Sequence, residues 1–191
     1  MSNTPKSKAV SFRDGMYGST IILFIICLVI SGALAVTYQI TAPQIEQINK
    51  ETADAARMQV LPEADSFTPA DGSLHDGVTE YYTADNGAGV VVTAQNSSFG
   101  GTMTVMVGID PEGAVTGVTV TEHADTPGLG TKAMEPDYLK QYQGLTGLDD
   151  VDSIKDDSQV DQVTGATVSS DGVYGAVKSA LAAYEEMGGS N

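Results

Sequence analysis

The chain has 191 residues, enough for one ordinary domain with additional segments rather than two full domains. Its formal charge of −16, from 9 basic and 25 acidic residues, argues against nucleic acid as a partner, because phosphates select basic surfaces. One cysteine and two histidines exclude an internal disulfide framework, a cysteine-ligated iron–sulfur cluster and a histidine-rich metal site. The acidic residues also lack the spacing of a calcium-binding loop, so no metal is expected.

An uncharged apolar stretch occupies residues 19–38 and predicts a transmembrane helix, because its length matches a hydrocarbon core of about 30 Å. Lys6, Lys8 and Arg13 precede this stretch, so the positive-inside rule places residues 1–18 in the cytoplasm and the acidic body outside. We therefore expect a single-pass protein of the bacterial plasma membrane, in contact with the lipid bilayer. Cys27, in the middle of the span, is interpreted as a packing residue.

A cleaved signal peptide is the alternative interpretation of the same stretch. Ala33-Leu34-Ala35 has the small-x-small pattern of a cleavage site, and the apolar run before it has a suitable length. A retained anchor is favoured, because the apolar run continues past this site and a helix-forming segment follows it. In both cases the acidic body is exported.

The segment from Pro43 to Leu61 favours a helix, with Pro43 in its first turn, and Pro62 ends it. We assign residues 39–62 to a stalk helix that continues from the membrane anchor. The polar, turn-rich stretch from Glu63 to Asp76 predicts a loop. Residues 63–191 are assigned to one extracytoplasmic domain.

Two β-hairpins are predicted within this domain. The first joins Thr79–Thr83 to Val90–Gln95 through a turn that contains Asn86-Gly87. The second joins Thr102–Ile109 to Ala114–Thr121 through Asp110-Pro111-Glu112-Gly113, with proline and glycine where a β-turn prefers them.

Two helices are predicted after the hairpins. Residues 135–143 favour a short helix, and apolar side chains spaced three and four apart predict a longer one over Asp171–Met187, capped by Ser170 or Asp171. The predicted class is α+β: an N-terminal transmembrane helix and a stalk helix, followed by an antiparallel-sheet domain with a C-terminal helix.

The segment Asp161–Ser170, of sequence DQVTGATVSS, directly precedes the C-terminal helix. Its small residues allow close approach of a ligand, and its hydroxyl groups lie beside a helix N-terminus that favours a phosphate. From composition alone, an ordinary Ser/Thr-rich capping turn is the favoured explanation of the same residues.

The segment resembles the target sequence of the extracytoplasmic flavin transferase, D-x-x-[S/T]-G-A-[T/S]. Asp161, Thr164, Gly165, Ala166 and Thr167 match its fixed positions. A second run, EHADTPGLGTK at residues 122–132, resembles the E-H-x-E-T-P-G-L-G run of the same FMN-binding domain, with Asp125 where the family usually has Glu. The chain thus resembles, over residues 19–191, the G component of the Rnf ion-translocating electron transport complex. The C component of the sodium-pumping NADH:quinone reductase belongs to a related family.

The resemblance implies a covalent flavin mononucleotide (FMN), joined through its phosphate to the hydroxyl of Thr167, with Asp161 recognised by the flavin transferase. It also implies the other candidate contacts with FMN. Lys132 either steadies an anionic reduced flavin or is simply solvated, and Asp125 is not assigned a contact. The candidate cofactor-binding residues are Thr164, Gly165, Ala166, Thr167, Ser169, Ser170, Glu122, His123, Thr126, Pro127, Gly128, Leu129, Gly130, Thr131 and Lys132.

The implied function is electron transfer within a membrane-bound ferredoxin:NAD⁺ oxidoreductase that translocates Na⁺ or H⁺, in association with the other Rnf subunits. No catalytic residue and no independent catalysis are expected from this chain alone. The alternatives are a protein like the C component of the quinone reductase and a non-redox, membrane-anchored binding module. A hydrolase built on His123 is disfavoured because the chain has no G-x-S-x-G motif.

Overall fold

The computed structural model describes residues 16–70 and 75–188, so Lys6, Lys8 and Arg13 lie outside the described part of the chain. A long helix, α1, spans Met16–Val60. Its segment Thr20–Ala42 is long and apolar enough to cross a membrane, with 23 residues and a mean hydropathy of 2.7, and is not buried within the protein. The helical structure predicted for the anchor and for the segment after Pro43 is confirmed.

The chain divides into two compact units, and the second begins at Thr52. This second unit contains the last turns of α1 and an antiparallel five-stranded sheet whose strands are neighbours in chain order. The strands are β1 (Phe67–Pro69), β2 (Val78–Ala84), β3 (Val90–Ser98), β4 (Gly101–Ile109) and β5 (Val115–Glu122). Both predicted hairpins are confirmed, as β2–β3 and β4–β5.

The sheet is buried on both faces along its central strands. Met103, Val105, Val107 and Ile109 of β4 point to one face, because side chains alternate along a strand, and they join the main core. The C-terminal helix α3, which spans Thr167–Glu186, packs on this face through side chains such as Val173 and Val177. The α+β class predicted from the sequence is therefore confirmed.

The opposite face of the sheet is covered by the end of α1 and the residues that follow it. Val60, Leu61 and Ala64 form a second, smaller core with Val91 of β3 and Met106 of β4. Thr116 of β5 donates a hydrogen bond to the main-chain carbonyl of Val60. The last turn of α1 is therefore part of the folded domain.

Three predicted element boundaries were wrong. The stretch predicted as a loop over Glu63–Asp76, of which residues 71–74 lie outside the described ranges, contains the edge strand β1. The short helix predicted over 135–143 is only partly α-helical: α2 spans Pro136–Leu139, and a 3₁₀ turn, Lys140–Tyr142, follows it. α3 begins at Thr167, four residues before the predicted start.

Arg57, near the end of α1, is 6% exposed and contacts the sheet. Its guanidinium lies 3.7 Å from the centre of the Tyr82 ring and pairs with Asp54 at 2.6 Å and with Glu80 at 3.3 Å. Replacing Arg57 with alanine removes the cation–π contact and the packing of the side-chain stem. We expect the free energy of unfolding of the full chain in detergent to fall by about 1–3 kcal/mol.

Lys140→Ala is the matched control for Arg57→Ala. Lys140 also forms a salt bridge, with Asp137 at 2.7 Å, but both side chains are exposed to solvent. We expect this control to change the free energy of unfolding by less than about 1 kcal/mol, as for other surface pairs. Equal effects of the two substitutions in thermal unfolding would contradict the role assigned to Arg57.

Candidate functional site

A cavity of about 310 Å³ opens where three segments of the second unit meet. These segments are the tip of the β3–β4 hairpin, the loop after β5 and the first turn of α3. Most of the cavity wall is apolar. Its lining residues are Phe99, Thr126, Leu129, Gly130, Gly165, Ala166, Thr167, Val168 and Ser169.

The wall formed by α3 begins with a turn that directs the chain into the helix. The Ala166 N–H donates to the carbonyl of Val163 at 2.9 Å, and Gly165 has a φ of +85° inside this turn. Ala166 occupies the N-cap position, where it offers no side-chain acceptor to the first turn of α3. The N-terminal N–H groups of the helix, which Ser, Thr, Asp or Asn commonly cap, are therefore not capped by a side chain. An anionic group beside Thr167, the first helical residue, would be stabilised there.

The two residues predicted as caps serve other positions. The Ser170 Oγ accepts a hydrogen bond from the Val163 N–H at 3.0 Å. The Asp171 carboxylate accepts hydrogen bonds from the Ile154 N–H at 2.8 Å and from the Ser153 hydroxyl at 2.9 Å. Both side chains bind residues upstream of α3 instead of capping it, and the helix begins before them, at Thr167.

The loop after β5 forms a second wall. The N–H groups of Leu129 and Gly130 both donate to the Thr126 carbonyl, at 3.2 and 3.1 Å, and the Gly128 N–H donates to the Thr131 hydroxyl at 2.9 Å. These bonds fold the loop tightly and leave the Leu129 side chain 48% exposed beside the cavity. The loop therefore supplies apolar surface rather than charge.

Asp125 connects the segments that form the walls of the cavity. Its carboxylate is 4% exposed and accepts hydrogen bonds from the Ser98 hydroxyl and the Gly100 N–H. Burial acts to raise the pKa of Asp125, but hydrogen bonds from Ser98, Ser169 and the Gly100 N–H, with the nearby His123, together lower it below its ordinary value. Asp125 thus links the hairpin tip, its own loop and α3 as a carboxylate.

Apolar side chains surround the mouth of the cavity. Phe99 is 72% exposed, Val168 is 50% exposed and Leu129 is 48% exposed. Among the described residues from Thr52 onwards, Met58 is the one other large hydrophobic side chain that is this exposed. The concentration of exposed apolar side chains around one cavity indicates a ligand with a flat or apolar part.

Seven of the predicted site residues line the cavity: Thr126, Leu129, Gly130, Gly165, Ala166, Thr167 and Ser169. The other candidates do not line it, although they lie in the same two segments. Among them, Ser170 is fully buried, and Lys132 is exposed. The candidates outside the lining are Glu122, His123, Pro127, Gly128, Thr131, Lys132, Thr164 and Ser170.

Sequence analysis missed two lining residues, Phe99 and Val168. Val168 lies inside the motif beside Thr167, so its neighbourhood could have identified it. The available signal for Phe99 was an aromatic residue at the tip of a hairpin, between Ser98 and Gly100.

Gly165 offers a test of the turn that precedes α3. In a Gly165→Ala variant the added Cβ meets Leu129 at 3.7 Å, an ordinary contact, so the strain comes from the positive φ. We expect the free energy of unfolding to fall by about 1–2 kcal/mol, measured by thermal unfolding of the full chain in detergent. Gly147→Ala, where an added Cβ meets nothing within 4 Å, is the control and should not destabilise. An unaffected Gly165→Ala variant would contradict the turn geometry.

Comparison with known proteins identifies the class to which this fold and site belong. A model of the FMN-binding domain family matches residues 98–182, which include every residue that lines the cavity. A model of the RnfG N-terminal region matches residues 14–60, which include α1. The second unit thus carries an FMN-binding domain. The residues present fit FMN, because the cavity offers apolar walls for a ring and an uncapped helix end for a phosphate.

Similar full-length proteins define the family more narrowly. The G component of an ion-translocating oxidoreductase complex from Methanosarcina acetivorans is 32% identical, over 83% of this chain and 89% of that protein. The G component of the Na⁺-translocating ferredoxin:NAD⁺ oxidoreductase complex of Acetobacterium woodii is 29% identical, over 87% of this chain and 90% of that protein. The crystal structure of NqrC from Shewanella oneidensis is similar with a TM-score of 0.46 and 23% identity, covering 68% of this chain and 70% of that one. The chain belongs to the RnfG family, the G components of ion-translocating oxidoreductase complexes.

Proposed function

We propose that this chain is the FMN-carrying electron-transfer subunit of a membrane-bound, ion-translocating ferredoxin:NAD⁺ oxidoreductase complex, and that its FMN is esterified to Thr167. The observation that carries the proposal is the position of Thr167. It is the last residue of the motif DQVTGAT, the first residue of α3, and part of the wall of the apolar cavity.

The first turn of α3 provides the phosphate site. A phosphate on the Thr167 hydroxyl would lie beside N–H groups that Ala166 leaves without a side-chain cap. The chain carries a charge of −16, so it would repel free FMN, whose phosphate carries about two negative charges near pH 7. A covalent ester keeps the cofactor in place despite this repulsion.

The apolar walls provide the ring site. Leu129 and Val168 expose about half of their side chains at the mouth of the cavity, and a flavin ring would cover them. The bound flavin would accept and donate the electrons, while the protein positions it and excludes water from part of its surface. Lys132 and His123 lie outside the lining residues, so we assign them no contact with the ring.

The motif upstream of Thr167 is accessible for modification by a flavin transferase. Asp161, Thr164 and Gly165 are exposed. The Gln141 side chain pairs with the main chain of Asp161, which leaves the Asp161 carboxylate at the surface for recognition. In the modification, the Thr167 Oγ bonds to the phosphorus of an activated flavin phosphate, the activating group leaves, and the hydroxyl proton is released.

The proposed topology follows from the basic N-terminus and the apolar segment of α1. Residues 1–18 are cytoplasmic, residues 19–38 span the plasma membrane, and the chain from residue 39 onwards, with the stalk and the domain, is extracytoplasmic. A reporter that is active only outside the cytoplasm, fused after Asn191, should be active. If this fusion is inactive and the same reporter fused to the N-terminal segment before residue 19 is active, the orientation is the reverse of the one proposed.

The proposed partners are the other subunits of the complex. Proteins similar to this chain are named as subunits of Na⁺-translocating and of proton-translocating complexes. The proposal therefore covers the translocation of either ion. Electron transfer between ferredoxin and NAD⁺ would require those subunits for binding and for catalysis.

Mass spectrometry of the natively purified chain tests the proposal. We expect a mass equal to the polypeptide plus one FMN minus one water, with the added mass on the peptide that contains Thr167. The denatured band should fluoresce under ultraviolet light. A bare polypeptide mass after co-expression with the flavin transferase would support a non-redox anchored module instead.

A further inference from the structure

Phe99 lies at the tip of the β3–β4 hairpin, where it lines the cavity with 72% of its side chain exposed. Such exposure is uncommon for phenylalanine on a chain with few aromatic residues, and most of the other large hydrophobic side chains of this domain are buried. A mobile loop tip would explain the exposure of Phe99 without any function. The contacts around this tip argue against that explanation.

The hairpin tip is held on both sides of Phe99 by one buried carboxylate. Ser98 donates to Asp125 through its hydroxyl, and Gly100 donates through its main-chain N–H. A Cβ added at Gly100 would overlap the Ala124 carbonyl oxygen, so the two segments are in direct main-chain contact. Both neighbours of Phe99 are therefore fixed to the loop that forms the second wall of the cavity.

The same hairpin also packs directly on α3. A Cβ added at Gly172 would lie 3.0 Å from the Ser97 carbonyl oxygen and 3.3 Å from the Ser98 Cβ. A glycine inside a helix is less favourable than alanine, so this close approach is maintained at a cost to the helix. The tip is thus docked against α3 and against the loop, while the Phe99 ring remains uncovered beside the cavity.

We infer that the Phe99 ring covers one face of the flavin ring carried by Thr167, and that Asp125 is the positioning residue that holds Phe99 there. The inference rests on the proposed function. A flat aromatic ligand fits this place because Phe99, Val168 and Leu129 are exposed around the same cavity, and aromatic rings favour stacked or edge contacts. An isoalloxazine ring would bury the apolar surface that the fold leaves open.

Quenching of flavin fluorescence by iodide tests this inference on the flavin-loaded full chain. In a Phe99→Ala variant, we expect the quenching constant to rise roughly twofold, because one of the two ring faces would become open to solvent. Phe99→Tyr retains the aromatic ring and should keep a quenching constant close to that of the unmodified sequence. Met58→Ala is the matched control, since Met58 is 48% exposed but does not line the cavity.

A comparison of loaded and unloaded protein separates a contact with flavin from a role in folding. We expect Phe99→Ala to lower the melting temperature of the flavin-loaded chain and to leave that of the unloaded Thr167→Ala background unchanged. Equal lowering in both forms, or unchanged iodide quenching in Phe99→Ala, would overturn the inference. The mass of the Thr167 peptide is read in each variant and in the unsubstituted chain, and absence of flavin from the unsubstituted chain is recognised as failure of the proposed function.

Ser98→Ala tests the positioning role of Asp125 without removing the buried carboxylate. This variant removes one of the two hydrogen bonds that hold the tip. We expect iodide quenching to rise by a smaller factor than in Phe99→Ala, with the flavin still attached to Thr167. If quenching is unchanged in Ser98→Ala but raised in Phe99→Ala, the part assigned to Asp125 is wrong and the Phe99 contact stands.

Discussion

A Thr167→Val variant should carry no covalent flavin, whereas Thr167→Ser should retain it. Valine has nearly the shape of threonine but lacks the hydroxyl that accepts the phosphate, and serine restores the hydroxyl. Thr167 is half-buried at the first position of α3, so neither change should disrupt the fold. In-gel fluorescence and the mass of the intact chain measure the result directly. The expected effect is complete loss of the added mass in Thr167→Val.

Thr126→Val is the matched control for this experiment. Thr126 also lines the cavity and has the same hydroxyl, but it lies outside the target sequence of the flavin transferase. A flavin on Thr126→Val combined with none on Thr167→Val assigns the linkage to Thr167. Retention of the flavin in Thr167→Val would contradict the proposed ester, whatever the activity of the complex.

The sheet was predictable because its local signals agree with its packing. In β4, Met103, Val105, Val107 and Ile109 alternate with other residues, and all four are buried in the main core. The turn Asp110–Gly113 is stabilised by its own side chain, since the Asp110 carboxylate accepts from the Glu112 and Ala114 N–H groups at 3.0 and 2.8 Å. Local sequence is enough to predict a hairpin when a short stretch of residues determines both its strands and its turn.

Other features depend on partners that are distant in the sequence. The strand β1 has three residues, and the Ser66 and Thr68 hydroxyls beside it and within it donate to the Asp85 carboxylate. Ser170 and Asp171, which were predicted to cap α3, instead bind residues seven or more positions upstream. Secondary-structure propensity and the spacing of apolar residues carry no information about such contacts. The sequence therefore did not predict β1, and it placed the start of α3 too late.

The candidate site was predictable in its two motifs but not in its third wall. The motifs located Thr167 and Leu129, which line the cavity, and also residues such as Lys132 that do not. The fold of a loop determines which of its residues line a cavity. In this loop, the N–H groups of Leu129 and Gly130 both donate to the Thr126 carbonyl, and the motif does not reveal this fold. Phe99 joins the cavity through the docking of a hairpin that neither motif contains.

Asp125→Asn should lower the free energy of unfolding by about 1–3 kcal/mol near pH 7, because an amide leaves one buried donor without an acceptor. The Asp125 carboxylate accepts from both the Ser98 hydroxyl and the Gly100 N–H, and asparagine presents one oxygen and one NH₂ group in the same volume. Thermal unfolding of the full chain in detergent measures the difference.

The effect of Asp125→Asn should depend on pH in one direction. The pKa of Asp125 is lowered in the folded chain, so its ionised form stabilises the fold above the ordinary carboxyl pKa of about 3.9. This contribution is lost as the pH falls through the lowered folded-state pKa, and the difference between the two proteins should shrink there. Asp137→Asn, at an exposed salt bridge with Lys140, is the control and should destabilise the fold far less than Asp125→Asn, because solvent screens this pair. A pH-independent difference for Asp125→Asn would show that shape rather than charge sets the role of this carboxylate.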